Sequence, residues 1–264
     1  MTGPTWPTID PKNHVASVVK AISLLELFTS EQPELNLATL VERGGLTRTT
    51  THRLLATLEL VGWLERRGEN YRLSLRVFRL GSTAVGAMEL RHEASHVMSE
   101  LAAKFGEDVY LVVPDGPRAV CLERIEGRSP VHVMALDVGK SLPLFIGGGG
   151  VALLAEKEAE LLPLVLAEGE MITPTGARIT LEQMQDKLAQ TRARGYSISM
   201  EDVTVGVGAL GSVVRDSRGT AVAAISLGGL LHKLAPPRQD ELAAGVRAAA
   251  DEISARLGHR PSRP

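Results

Sequence analysis

Between Asn36 and Ser74 the chain carries two short helical patterns across a tight turn, then a hairpin signal tipped with arginine, and few folds accept that order of parts. Leu37, Leu40 and Val41 recur at helical spacing, Gly44 and Gly45 stop that helix, and Leu46, Thr51, Leu54, Leu55 and Leu58 resume the same period. Thr47 is placed to cap the second helix and Gly62 to end it. Beyond Gly62, Trp63, Tyr71 and Leu73 read as strand residues, with a turn at Gly68 to Asn70. A hairpin that follows a helix-turn-helix is a wing. The polar face of the second helix presents Arg48, Thr49, Thr50, His52 and Arg53 near its N-terminus, side chains able to donate to base edges and phosphate oxygens. Arg66 and Arg67 lie on the wing. From Arg43 to Arg79 there are eight arginines against three acids, Glu59, Glu65 and Glu69, which supplies the local positive field a phosphate backbone requires. The competing reading is a solvated charged face on a small helical domain.

The formal net charge of −2 over 264 residues argues against nucleic acid only if charge is spread evenly, and here the cations are concentrated in one segment. With 44% hydrophobic and 23% charged residues the composition is that of an ordinary globular protein, long enough for two domains. The lone Cys121 has no partner for an intramolecular disulfide, and Val120 and Leu122 beside it point to a buried thiol in a strand. No apolar stretch reaches the ~18 to 20 residues of a membrane helix, and the Pro-rich start lacks the apolar core of a signal peptide. A cytoplasmic protein is the expectation.

Periodicity divides the chain further. Residues 1–13, with Pro4, Pro7 and Pro11, read as a disordered tail, and 14–80 as the winged helix-turn-helix. Val15 to Thr29 forms an amphipathic helix, with Val15, Val18, Val19, Ile22, Leu25 and Phe28 expected to pack under the helix-turn-helix. Leu75 to Met88 is helix-like but carries Gly81 and Gly86, so 81–90 reads as a linker helix. The second domain, 91–260, opens with a helix that ends at Gly106. Strand-like runs follow at Val109 to Val113, Ala119 to Glu123 and Val131 to Leu136. Helices cover Val151 to Ala167, divided at Pro163, and Leu181 to Arg194. Strands resume at Tyr196 to Ser199, Gly206 to Arg215 and Ala221 to Leu227, before a helix from Arg238 to Leu257. Mixed strands with helices at both ends give an α+β fold rather than a run of βαβ units.

This order of parts resembles the IclR family of bacterial transcriptional regulators over nearly the whole chain. LTRTTTHRLLATLE at Leu46 to Glu59 resembles the family's recognition helix, and Gly62-Trp63-Leu64-Glu65-Arg66 its entry into the wing. LPLFIGGGGVALLA at Leu142 to Ala155 is similar to a second signature, as are Gly195-Tyr196 followed by Glu201 and Gly206, and AAISLG at Ala223 to Gly228. The resemblance implies an N-terminal winged helix-turn-helix, a linker helix and a C-terminal GAF-like domain with a mixed or antiparallel sheet that binds a small-molecule effector. It also implies dimers or tetramers acting on palindromic double-stranded DNA operators, with no cofactor. Carried over by position, the effector site comprises Val131, Met134, Leu142, Gly148, Gly149, Ser199, Val207, Ala209, Ser226 and Gly228. A glycine run that opens a helix leaves backbone N–H groups facing a ligand, an arrangement that favours a carboxylate. Ser199 and Ser226 would add hydroxyl contacts, and Val131, Met134, Leu142 and Val207 would hold a hydrocarbon or aromatic body. A small organic acid, aromatic acids included, is the expected effector. Against that, the glycines could serve close packing alone. Phe145 and Val151 stand where the family commonly has His and Lys, and Gly228 where Ser is frequent. Either the ligand is more hydrophobic than usual or these residues pack the sheet.

Two other readings compete. His92-Glu93-Ala94-Ser95-His96 matches the H-E-x-x-H pattern of zinc hydrolases, whose two imidazoles share one helix face. A third ligand is needed, Ser99 and Ala102 occupy the places where an extended pattern has Gly and His, and Glu123 or Glu126 would have to come from a strand region. The chain is therefore not expected to be an enzyme. The third reading is an oligomerising DNA-binding protein with no effector.

Overall fold

A computed structural model describes residues 14–29, 31–86, 89–129 and 136–260, so the expected tail at 1–13 and most of the strand expected at 131–136 lie outside the described residues. The chain forms two compact units, 1–87 and 88–264.

The first unit holds α1 (Ala16–Leu25), β1 (Glu34–Asn36), α2 (Leu37–Gly44), α3 (Arg48–Leu60), β2 (Leu64–Arg67), β3 (Asn70–Leu73) and α4 (Leu75–Gly86). Local chemistry sets its boundaries. The Asn36 side chain accepts from Thr39 N and caps α2, and Gly45 ends that helix at φ +62°, a conformation open to glycine at little cost. Thr47 caps α3 by accepting from Thr50 N. Buried Thr51 returns its hydroxyl to the Thr47 carbonyl, so it can sit in an apolar stripe. The wing is antiparallel, with Arg67 opposite Asn70. Its base is tied to the end of α3 by Ser74, whose hydroxyl donates to Gly62 O at 2.6 Å and whose N–H donates to Trp63 O. A third strand, β1, adds to it through Leu35 opposite Tyr71. Three residues with one buried side chain are too short to show a period, which is why β1 escapes a sequence reading. Leu24, Phe28, Leu40, Leu55, Leu58, Leu64 and Tyr71 form the core. The stripe of α1 is only partly used: Val15, Val18 and Ile22, expected to pack inward, are exposed at 64%, 53% and 39%.

The second unit runs α5 (Glu89–Phe105), β4 (Asp108–Asp115), β5 (Arg118–Ile125), β6 (Ser141–Pro143), α6 (Gly148–Glu156), α7 (Glu158–Ala167), β7 (Met171–Ile172), β8 (Arg178–Ile179), α8 (Leu181–Arg194), β9 (Ser197–Met200), β10 (Val207–Arg215), β11 (Ala221–Leu230) and α9 (Arg238–Arg256). Six strands make one antiparallel sheet in the order β6-β5-β4-β11-β10-β9. Because side chains alternate across a pleated strand, the sheet has two unlike faces. Val109, Leu111, Ile225 and Leu227 join α5 and α9 in one core, whereas Tyr110, Val112 and Ala224 join α6, α7 and α8 in another. The fold is thus α+β, with helices on both faces of an antiparallel sheet. The sequence reading divided Val151 to Ala167 at Pro163. The break lies instead at Lys157 (φ −113°, ψ 35°), and Pro163 sits inside α7, where its missing N–H costs one bond and does not end the helix.

On the α6 side the sheet is floored by small residues. Ser197, Gly211, Ser226 and Tyr110 form one cross-strand row and Ser199, Ala209, Gly228 and Asp108 the next. Over this floor α6 enters with Gly148. A Cβ on Gly211 would lie 2.4 Å from the Gly148 carbonyl carbon, and one on Gly148 would lie 2.6 Å from Ser226 Oγ. Backbone meets backbone there, with nothing able to yield. Gly211→Ala is expected to lose ~1 to 3 kcal/mol of stability, read as a lower midpoint in urea unfolding. An unchanged midpoint would mean that α6 can shift away freely.

Candidate nucleic-acid interface and ligand cavity

The capped start of α3 and the hairpin β2–β3 border a surface concavity. Arg48, Thr49, His52, Arg53, Arg66, Asn36, Glu69 and Tyr71 are among the residues that line it. Of the seven residues expected to meet DNA, five therefore share this hollow. Arg67 is exposed on β2 beside it. Thr50 is the exception: its hydroxyl accepts from Thr47 Oγ1 at 2.9 Å, and its side chain lines an apolar groove with Val18, Ala21, Ile22 and Leu54. It helps to cap α3 and faces α1. Arg48, Arg53 and Arg67 have no acidic partner among the described residues, whereas Arg72 is held by Glu65 at 2.5 Å. Arg66 donates to Gly68 O at 3.1 Å and lies 5.7 Å from the Tyr71 ring centroid, which fixes its stem on the wing. Unpaired arginines held at a helix start and on a hairpin leave their charge for a phosphate backbone.

In the second unit, a narrow cavity of about 60 Å³ lies between the start of α6 and the small-residue floor. Leu142, Gly148, Gly149, Ser199, Val207, Ala209, Ser226 and Gly228, eight of the ten residues expected at an effector site, line it. Val131 and Met134 lie outside the described residues. Tyr110, Val112, Leu136, Ile146 and Val203 supply further wall. Phe145 and Val151 do not line it. They are buried in the core beneath α6, so of the two readings offered for them the packing one holds.

Among the wall residues that the sequence reading did not name, one is charged. Asp202, 8% exposed, accepts from Gly147 N at 3.4 Å and from the Ser199 hydroxyl, while Lys187 Nζ reaches its other oxygen at 3.2 Å. A carboxylate of the chain itself thus stands at the N-terminus of α6, where the glycine run was expected to receive a ligand's. The two serines are engaged as well, since Ser226 Oγ donates to Leu210 O at 3.0 Å and Ser199 Oγ to Asp202. Tyr110 donates its hydroxyl proton to Asp108 at 3.3 Å. Asp108 in turn pairs with Arg124 at 3.0 Å, both side chains nearly inaccessible. Burial, with Asp108 adding to it, drives the Tyr110 hydroxyl pKa well above its ordinary value, so the ring stays a neutral phenol.

Among the described cavity residues there is no His or Lys to activate a hydroxyl. His92 and His96 lie on α5, with His96 exposed and 3.3 Å from Glu100, and the Glu123 carboxylate that could have supplied a third ligand is held by Arg91 at 2.6 Å. Among the described residues no group of three or more His, Cys, Asp or Glu is arranged to hold a metal ion, and no helix is long and apolar enough to cross a membrane.

The comparisons with known proteins agree with this geometry. The IclR helix-turn-helix domain matches residues 17–68, and the bacterial transcriptional regulator IclR C-terminal domain matches residues 82–255. The HTH-type transcriptional regulator XynR of Escherichia coli is 31% identical over 251 residues, which cover 93% of this chain and 98% of XynR. The transcriptional repressor IclR of the same organism is 27% identical over 262 residues, 97% of this chain and 94% of the relative. Among solved structures, an IclR homolog from Microbacterium hydrocarbonoxydans complexed with 4-hydroxybenzoate superposes with a TM-score of 0.77 at 23% identity, covering 91% of this chain and 98% of that one. XynR and IclR are by name a transcriptional regulator and a transcriptional repressor.

Burial pushes the Cys121 thiol up to about 12. At pH 8 the thiolate is then on the order of one part in ten thousand, and the thiolate is the reactive form. A disulfide reagent at pH 8 is expected to leave Cys121 unlabelled in the folded chain and to label it fully in denaturant. Rapid labelling of native protein would contradict the burial.

Proposed function

The chain belongs to the IclR family of DNA-binding bacterial transcriptional regulators, and from that premise we propose that a small organic acid in the cavity of the second unit controls how tightly the first unit holds its operator. The observation that carries this reading is the cavity itself, where small residues from β9, β10 and β11 leave space that α6 closes. The apolar walls suit a hydrocarbon or aromatic body, and the relative complexed with 4-hydroxybenzoate lends support to an aromatic acid. An apolar cavity of roughly 150 Å³ takes benzene, and at about 60 Å³ this one is smaller, so in this reading the walls part around an aromatic ligand. That gives the ligand-bound and ligand-free states different packing around α6, and a ligand that prefers one state shifts the balance between them. Transmission through the segment around Leu75 to Met88 to the spacing of two DNA-binding units is part of the proposal.

We assign the readout to Arg48, Thr49 and His52 near base edges, with Arg53, Arg66 and Arg67 nearer phosphate or the minor groove. Two copies acting on a palindrome, as a dimer or a tetramer, fit the apolar surface left open in the first unit. Val15 just before α1, Val18 on it, and Leu75 and Phe78 on α4 at 75% and 70% exposure give a second copy something to bury. The relative named a repressor makes repression the first mode to test.

Arg48→Ala is expected to weaken binding to the operator by ~1 to 3 kcal/mol while leaving random duplex binding nearly unchanged. Equal losses on both duplexes would remove Arg48 from the bases. Arg67→Ala should weaken both alike and reduce the slope of log K against log salt by about one. An unchanged slope would place that side chain away from phosphate. For the effector, calorimetric titration with a panel of small carboxylates should find one that alters operator affinity and raises the melting temperature. Binding only of neutral or cationic compounds would defeat the acid.

A further inference from the structure

α4 is the element of the first unit that the core does not hold. Leu75, Phe78 and Leu80 are exposed, and none of the described α4 side chains belongs to the cluster built on α1, α2, α3 and the wing. A hollow lined by Trp63, Arg76, Arg79, Leu80 and Thr83 opens beside the helix instead. The direction in which α4 leaves is therefore set at its first turn, by hydrogen bonds. Ser74, 9% exposed, donates its hydroxyl to Gly62 O at 2.6 Å and accepts from Arg76 N at 3.1 Å, while its own N–H donates to Trp63 O at 2.9 Å. Arg76 Nη1 reaches back to Val61 O at 2.9 Å. Val61 and Gly62 follow α3, Trp63 precedes β2 and Ser74 follows β3. One junction thus ties the end of α3, both wing strands and the start of α4.

We propose that Ser74 and Arg76 are positioning residues that fix the separation at which two copies of this chain read an inverted repeat. This rests on the reading of two copies acting on a palindrome. α4 is the covalent path out of the first unit, so a second copy held through the second unit or through the exposed face of α4 acts on α3 by way of this junction. With the junction closed, α3, the wing and α4 turn as one body. With it open, α3 and the wing swivel on the end of α4, and half-sites at several separations become acceptable. The lever is long enough to matter. α4 has 12 residues and so spans about 18 Å. A tilt of roughly 10° at its start moves the far end by about 3 Å, close to the ~3.4 Å between successive base pairs.

The test titrates the full chain with three duplexes: the inverted repeat it selects from a random library, that repeat with one base pair inserted between the half-sites, and one half-site beside random sequence. The insertion shifts one half-site by a base-pair step and turns it by about a tenth of a helical turn. Wild-type protein is expected to bind the inserted duplex roughly tenfold more weakly than the selected one. In Ser74→Ala that difference should shrink to about threefold or less, with affinity for the single half-site within about twofold of wild type. Arg76→Ala, a change at an exposed side chain, should do the same and decides the matter if Ser74→Ala fails to fold. An unchanged penalty for the insertion in the folded variants overturns the role of the junction. So does a loss on the single half-site as large as the loss on the selected repeat, since the junction would then only support α3. A wild-type chain that selects no inverted repeat, or binds the inserted one equally well, defeats the reading of two copies on a palindrome, and this inference falls with it.

Discussion

The second unit depends on one close approach, that of the α6 backbone at Gly148 to the β10 backbone at Gly211. No side chain separates them, so the helix seats deep on the sheet and its following residues, Val151 to Ala155, are fully enclosed. Interiors packed to crystal-like density pass a displacement on to their neighbours. A displacement of α6 from this seat would therefore disturb the core that α6 shares with α7 and α8. The same small residues that allow the approach leave the cavity beside it. Close packing, one of the two roles that the sequence offers for the glycine run, and the cavity beside it both follow from one arrangement.

The first unit solves a different problem. Its core is a few leucines with Phe28 and Tyr71, and its accuracy comes from side chains that finish backbone segments, such as Asn36, Thr47 and Ser74. A recognition element has to hold its arginines in place without ion-pairing them, and no ion pair among the described residues engages Arg48, Arg53, Arg66 or Arg67, although Glu69 lines the same hollow. Glu65, the acid on β2, is spent on Arg72, which leaves Arg66 and Arg67 available.

Features that act within a few residues were legible in the sequence. Thr47 and Gly45 at the helix-turn-helix and Gly106 ending α5 each have a local cause, and each stands where its residue type requires. The three-residue strand β1 and the two-residue pair β7–β8 are too short for periodicity to register. Pro163 misled because proline is a strong breaker in general, yet here it lies inside α7, among the buried Leu161, Leu162 and Val165, and the helix runs on to Ala167. Asp202 was hidden for a deeper reason. It belongs to an irregular loop, and its meaning comes from Gly147, 55 positions earlier, which only the folded sheet brings near. The two pocket serines could be named in advance, but the direction of their hydroxyls could not, because a serine's one proton goes wherever the tertiary structure offers an acceptor.

The central claim is that α3, with its wing, reads a particular duplex sequence rather than merely holding DNA by charge. Selection of the full chain against a random duplex library at about 150 mM salt tests it most directly. The account predicts enrichment of an inverted repeat whose half-sites are separated by about one helical turn, roughly 10 bp, or a multiple of it. Recovery of bound DNA with no shared motif would contradict it.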